Sequence, residues 1–160
     1  MKPSNRLAAR GLALPSSPPP AGSYVAARRV GNVIYTAGQL PMVDGVLTCT
    51  GVVGDESGHV TVARASECAV IALVNAVAAA AHLAGGVDAI TGVVRLTGYV
   101  ASAPGFTGHP SVLNAASELL ADVFGESGRH ARSAVGVSSL PLGSPVEVEL
   151  IVEVADASSD

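Results

Sequence analysis

Every second residue is aliphatic in the last apolar segment of the chain, residues 146–154 (VEVELIVEV). The intervening positions include Glu147, Glu149 and Glu153. Because successive side chains of a strand point to opposite faces of the sheet, this alternation predicts a half-buried strand with its valine row against the core. The preceding segment, residues 130–137, also reads as a strand, and it places Arg132 on the opposite face from its neighbour Ser133.

Three further strands are predicted in the first third of the chain, and a fourth follows later. Residues 24–30 and 33–37 flank Gly31-Asn32, a residue pair typical of two-residue hairpin turns. Residues 45–53 are predicted to add a third strand to this hairpin. The segment 92–100 is rich in Val and Thr, which strands favour.

Two helices are predicted between these strands. Thr61 can cap a helix over residues 62–83, which Gly85-Gly86 would end. Its apolar side is expected to contain Cys68, Ile71, Val74 and Leu83. Pro110 suits the first position of a second helix over residues 110–124. The predicted order is β-β-β-α-β-α-β-β, an α+β domain with both helices on one face of the sheet.

The length of 160 residues fits one domain. Residues 14–21 are rich in Pro and Ser, so residues 1–20 are predicted to be an extended lead-in. Residues 21–155 are predicted to form a single domain, followed by a tail at 156–160.

Composition limits the classes of partner. Hydrophobic residues make up 49% of the chain and charged residues only 14%, so we expect subunits to associate. The net charge of −4 and the 3% of aromatic residues argue against nucleic-acid binding. The apolar stretch at residues 69–84 contains Asn75 and His82 and is too short to span a membrane, which predicts a buried helix.

Cysteine and histidine spacing indicates neither a disulfide framework nor a metal site. Cys49 and Cys68 form no ligand-spaced pair and fit a reduced, cytoplasmic protein. The four histidines likewise share no metal-ligand spacing, so no metal is expected.

Arg132 is the main candidate for chemistry, because it stands among small residues in a chain with few charges. One interpretation is a structural ion pair with Glu147. The other is a guanidinium fork that binds a substrate carboxylate through two hydrogen bonds. If the last two strands are neighbours, Arg132 and Glu147 meet on the sheet face away from the helices.

Four separated motifs make the chain resemble the RidA/YjgF family, also called the L-PSP family. They are GNVIYTAGQLP at residues 31–41, RSAVGV at 132–137, LP at 140–141 and VEVE at 146–149. The spacing of Arg132 and Glu147 also matches the family pattern. The likeness extends from Ala21 to Val154.

The resemblance implies a chorismate-mutase-like fold, a homotrimer built around a central barrel, and clefts between subunits. It further implies hydrolysis of 2-imino or 2-enamino acids to 2-oxo acids and ammonia, without cofactor or metal. Arg132 would bind the substrate carboxylate, and Glu147 would hold water or transfer a proton. The cleft would be lined by Tyr24, Thr36, Ala37, Gly38, Gln39, Asn114 and Ala134. Ala134 departs from the family, since many members have Cys there.

Three functions therefore remain open from the sequence. The first is deamination of 2-imino acids at the Arg132 cleft. The second is a trimer that binds a small carboxylate-bearing metabolite without turnover. The third is an endoribonuclease or translation inhibitor, which the negative charge and the scarcity of Lys disfavour.

Overall fold

The computed structural model describes residues 1–16 and 22–155. Most of the Pro/Ser-rich linker and the tail at 156–160 lie outside these residues. The helices and strands, in chain order, are α1 (Pro3–Ala9), β1 (Ala27–Val30), β2 (Val33–Thr36), β3 (Met42–Val43), β4 (Val46–Leu47), α2 (Val62–Ala84), β5 (Ile90–Ala101), α3 (His109–Phe124), β6 (Ala131–Val137) and β7 (Val146–Val154).

The main sheet has five strands in the order β1-β2-β7-β5-β6. All neighbours are antiparallel except β5 and β6, which run parallel, so the predicted mixed sheet is confirmed. The β1–β2 hairpin turns at Gly31, whose φ of 60° is left-handed and therefore favours glycine. On β7 the valine row is buried, as the alternation predicts.

The prediction of a third strand next to the β1–β2 hairpin is wrong in one respect. Residues 45–53 do not join the main sheet, because the chain reverses at Asp44 and Gly45, which both have positive φ. This turn makes β3 and β4 a separate two-stranded hairpin. Only Val53 returns to the main sheet, where it forms an isolated bridge with Ser102.

Helices α2 and α3 both cover the same face of the main sheet, as predicted. The Thr61 side chain caps α2 by accepting a hydrogen bond from Arg64 N (3.2 Å), and Gly85 ends it in a left-handed conformation. Helix α2 is long and apolar enough to cross a membrane, but 67% of its most apolar stretch is buried inside this domain. It therefore serves as a core helix.

The prediction that residues 1–20 are extended is wrong for the first of them, because Pro3–Ala9 form α1. Pro at the first helical position suits a helix start. Leu7 inserts into the core, and Ser4 anchors the helix by donating from its backbone N (2.9 Å) and its hydroxyl (2.8 Å) to the Asp88 carboxylate. Residues before the linker thus belong to the domain.

Candidate functional site

Arg132 lies on the face of the sheet that the helices cover. Strand β6 pairs with β5 so that Arg132 is opposite Leu96, and Leu96 is in turn opposite Leu150 of β7. Paired residues of neighbouring strands point to the same face. Since Leu96 and Leu150 are buried in the core, the Arg132 side chain is on the helix side.

Glu147 lies on the other face, so the prediction that Arg132 and Glu147 meet within one subunit is wrong. Glu147 is opposite Tyr99 and alternates with the buried valines of β7. The expectation assumed that the last two strands are neighbours. Instead β5 is inserted between β6 and β7, and the pairing through β5 sets the two side chains on opposite faces.

Two neutral side chains of α3 hold the Arg132 guanidinium. Its Nη1 donates to Asn114 Oδ1 (3.1 Å) and to Ser117 Oγ (3.1 Å). No ion pair among residues 1–16 and 22–155 includes Arg132, which argues against the structural ion pair with Glu147. The positive charge is therefore positioned but not neutralised.

Ser117 connects Arg132 to His130. Nδ1 of His130 is 2.6 Å from the carbonyl oxygen of Gly128, and this oxygen only accepts, so Nδ1 carries the proton. In the neutral ring, Nε2 then accepts from the Ser117 hydroxyl (3.1 Å). The hydroxyl can therefore accept from Arg132 and donate to His130 at the same time, which fixes the guanidinium.

The backbone beside Arg132 faces an open sheet edge. Ser102 N donates to Val137 O (3.1 Å), so Val137 directs its backbone groups toward β5. Because these groups alternate in direction along a strand, those of Gly136, Ala134 and Arg132 point away from β5. No strand lies on that side within the described chain. Ala134 can thus offer its backbone to a ligand.

The Glu147 carboxylate rests against the backbone of Gly38. A Cβ built on Gly38 would overlap Glu147 Oε1 and lie 2.6 Å from the carboxyl carbon, so any larger residue at position 38 would displace the carboxylate. Gln39 holds the Gly38 backbone next to Glu147, because the backbone of Gln39 exchanges two hydrogen bonds with that of Val148 (2.7 and 3.0 Å). Ala37 N donates to Ala26 O (2.8 Å).

Thr36, a predicted substrate-binding residue, has a structural role. Its side chain is buried, and its hydroxyl accepts from Leu150 N (2.9 Å). This bond continues the contact between the two strands where β2 ends its pairing with β7, just before Gly38. The prediction that Thr36 lines a cleft is therefore wrong for its side chain.

The pKa values of Glu147 and Tyr99 are both raised on this face of the sheet. Burial raises the pKa of Glu147, and the charge of Glu149 raises it further. Glu149 accepts a hydrogen bond from the Tyr99 hydroxyl (3.0 Å), and burial together with this bond raises the pKa of Tyr99. A carboxylate with a raised pKa is a stronger base than an exposed one.

Sequence and structure comparisons agree on the relatives of the chain. Residues 4–154 match the family model described as YjgF/chorismate-mutase-like, putative endoribonuclease. The chain belongs to the YjgF/chorismate-mutase-like family. Solved YjgF-type structures share its fold, which confirms the predicted α+β chorismate-mutase-like architecture.

Individual YjgF relatives cover almost all of the chain. Protein TCP17 of Trypanosoma cruzi is 39% identical over 155 residues, with 94% of this chain and 95% of the relative covered. Atu1372 of Agrobacterium tumefaciens, a protein with unknown function, is 42% identical, with 96% and 92% covered and a TM-score of 0.84. A putative endoribonuclease of Shewanella oneidensis is 33% identical, with 96% and 100% covered and a TM-score of 0.89.

The structure sorts the predicted YjgF site residues into two clusters. Arg132, Asn114 and Ala134 lie together between α3 and β6, whereas Glu147 lies with Gly38, Ala37 and Gln39 across the sheet. Tyr24 is 53% exposed, and its side chain makes no hydrogen bond with either cluster among the described residues.

Sequence reasoning missed Ser117 and His130 as partners of Arg132. The spacing of Asn114 and Ser117, three residues apart on a helix, puts both on one side of α3 and is the signal that was available. In the part of the chain that the structure describes, no three His, Cys, Asp or Glu side chains come together as a metal site would require.

We expect Glu147→Gln to raise the melting temperature near pH 7. A carboxyl whose folded-state pKa is raised binds its proton more tightly in the native state, so stability is lost as pH rises through the folded pKa. The neutral amide avoids this loss. Melting curves from pH 4 to pH 8 should show a gap between variant and wild type that closes below the ordinary glutamate pKa of about 4.3.

Glu118→Gln on the exposed side of α3 is the matched control, and its melting temperature should follow that of the wild type. If Glu147→Gln and the wild type differed in melting temperature by the same amount at pH 4 and at pH 8, the raised pKa of Glu147 would not be the cause of the difference.

Proposed function

We propose that this YjgF-family protein hydrolyses 2-imino and 2-enamino acids to 2-oxo acids and ammonia, without a cofactor. The observation that carries the proposal is the Arg132 guanidinium, which Asn114 and Ser117 hold in place while no carboxylate among the described residues neutralises it. A positioned but uncompensated guanidinium beside an open strand edge favours a ligand carboxylate.

The unoccupied donors of Arg132 suit a carboxylate. Only Nη1 is engaged in hydrogen bonds within the described chain, so Nε and Nη2 are free to form a fork. A guanidinium binds a carboxylate through two parallel hydrogen bonds, which fixes the plane of the ligand as well as its position. The outward backbone groups of Ala134 lie next to this fork.

A second subunit would bring Glu147 to the same ligand. Since Arg132 and Glu147 of one chain lie on opposite faces, we propose a homotrimer in which Arg132 of one subunit and Glu147 of its neighbour line one cleft. The uncovered sheet face supports association, because it exposes the large side chains of Val30, Tyr35 and Val135. The open edge of β6 supports it too.

The proposed reaction is a simple hydrolysis. The imine carbon is already electrophilic, so the protein needs to orient it and to activate water. Glu147 takes a proton from the water as the water oxygen bonds to C2, and the electron pair of the C=N π bond moves to the nitrogen. Protonated Glu147 and a solvent proton then protonate the nitrogen of the resulting carbinolamine. The C–N bond then breaks, ammonia leaves with the electron pair, and loss of the hydroxyl proton gives the 2-oxo acid.

The test is to generate 2-iminobutanoate with an amino-acid oxidase and to follow release of 2-oxobutanoate. Catalase removes the peroxide, and the reaction without the protein gives the background rate. The protein should accelerate release in proportion to its concentration. Release at the background rate would overturn the proposed activity.

A non-catalytic carboxylate-binding trimer is the second candidate, because one chain positions Arg132 without a catalytic carboxylate beside it. It predicts that 2-oxobutanoate raises the melting temperature while imine hydrolysis stays at background. The endoribonuclease description belongs to the relatives, and RNA cleavage that persists in Arg132→Ala would not come from this site. Cytoplasmic location stays a prediction.

A further inference from the structure

A second polar pair, Ser102 and His109, lies near the other end of β6 from Arg132. Ser102 follows β5, and His109 begins α3. Ser102 Oγ and His109 Nε2 are 3.0 Å apart, which is hydrogen-bond distance. The Phe106 ring meets the imidazole edge-on, with centroids 5.2 Å apart and an interplanar angle of 82°, and so holds it in place.

Gly136 brings this pair close to the β6 backbone. A Cβ at Gly136 would lie 2.8 Å from Ser102 Oγ and would overlap His109 Nε2, so the pair occupies the space of the missing side chain. Gly136 and Ala134 are on the same face of β6 as Arg132. We call the space between α3 and these three residues the α3–β6 trough.

The residues along the floor of the trough have small side chains and are at least partly exposed. Gly136 is exposed and Ala134 is half-buried, and neither carries a side chain longer than a methyl group. Asn114, on the α3 side, is also exposed. The trough therefore has the guanidinium at one end, small residues along its floor and the Ser102–His109 pair at the other end.

The Ser102–His109 pair always keeps one donor for a ligand. If His109 Nε2 carries the proton, it donates to Ser102 Oγ and leaves the hydroxyl hydrogen free. If Nδ1 carries the proton, the hydroxyl donates to Nε2 and the Nδ1 hydrogen is free, because Nδ1 has no partner among the described residues. The pair can thus donate one hydrogen bond to an acceptor group of a ligand in either tautomer.

The separation of the two ends limits the length of the ligand. Asn114, which holds Arg132, is five residues after His109, or about 7.5 Å along the axis of α3. A five-carbon dicarboxylate with a hydrogen bond at each end joins donors on the order of 10 Å apart. The two ends of the trough therefore match an acid with a second acceptor group three carbons beyond C2.

We infer that the α3–β6 trough selects 2-imino acids with a distal carboxylate, which the Ser102–His109 pair binds while Arg132 holds the first carboxylate. This inference rests on the proposed function, because it takes Arg132 as the anchor of the same substrate. Arg132 orients the reacting end, and the pair discriminates between side chains of equal length.

The test compares two stable 2-oxo acids of five carbons by calorimetry. 2-Oxoglutarate ends in a carboxylate and 2-oxopentanoate ends in a methyl group. The wild type should bind 2-oxoglutarate about tenfold more tightly, the usual effect of one hydrogen bond to a charged group. Ser102→Ala and His109→Phe should each remove most of this preference and leave the dissociation constant of 2-oxopentanoate unchanged.

Two further variants complete the design. Gly136→Ala should also remove the preference, because its methyl group displaces the pair without touching Arg132. His82→Phe on the exposed end of α2 is the matched control and should retain the preference. Melting curves of all variants show whether each is folded.

Equal affinity of the wild type for both acids would overturn the inference while leaving the proposed function intact, provided that Arg132→Ala weakens both. A preference that survives in folded Ser102→Ala and Gly136→Ala would also overturn it. Binding of neither acid would contradict the carboxylate site at Arg132, and with it both proposals.

Discussion

Replacing Arg132 with Ala should lower kcat/KM for 2-iminobutanoate by about 100-fold or more. Two charge-assisted hydrogen bonds contribute about 1.5–3 kcal/mol each, and every 1.4 kcal/mol changes the rate tenfold. Most of the fall in kcat/KM should appear as a higher KM, because the proposed role of the guanidinium is to bind the substrate carboxylate. Arg132→Lys should be intermediate, because it keeps the charge and loses the planar fork.

Arg129→Ala is the matched control for this experiment. Arg129 lies in the connection that leads from α3 into β6, and its exposed guanidinium pairs with Glu126 (3.1 Å). Exposed pairs contribute little, so kcat/KM should change by no more than about twofold. Equal kcat/KM for Arg132→Ala and the wild type would contradict the assignment of Arg132.

Gly38→Ala should abolish most of the turnover while sparing carboxylate binding. The added methyl group would occupy the position of the Glu147 carboxylate, so the carboxylate must move away from the water that it activates. We expect a fall in kcat of about 100-fold, in the range usual for loss of general-base catalysis. The KM and the affinity for 2-oxobutanoate should change little, because Arg132 is on the other face.

A double-mutant cycle separates this steric effect from general damage. Overpacking typically costs about 1–3 kcal/mol, so Gly38→Ala should lower stability in the wild-type background. In a Glu147→Ala background the same methyl group has room, and its cost should fall close to zero. Gly92→Ala is the control, since a Cβ there meets no atom closer than 3.6 Å. An equal cost of Gly38→Ala in both backgrounds would contradict the close approach.

Local patterns predicted α2, α3 and most strands well, because the signals for these elements are local. The alternation over β7 identified the buried valines, and Thr61, Gly85 and Pro110 marked helix ends through capping and backbone preferences. The apolar side of α2 was harder to predict. Alanine differs little between buried and exposed positions, so the helix buries Ala72 and Ala76 while Leu83 is 40% exposed.

The sequence predicts candidate site residues but not their arrangement. Arg132 and Glu147 are recognisable from their surroundings and from the family motifs. Their placement depends on which strands are neighbours, and chain order suggests β6 beside β7. The structure instead places β5 between them, a long-range pairing that no local pattern reports. Ser117 and His130 were missed because their role depends on contacts with Arg132.

The central claim is that Arg132 of one subunit and Glu147 of its neighbour form one catalytic cleft. It is tested by mixing Arg132→Ala and Glu147→Gln chains in equal amounts, unfolding and refolding them together, and measuring imine hydrolysis. Each cleft then has about a one-in-four chance of receiving both intact residues, so at substrate concentrations below KM the mixture should recover about a quarter of the wild-type rate, whereas each variant alone should have about a hundredth of it. A mixture as inactive as the separate variants, while refolded wild type regains its full rate, would contradict the account.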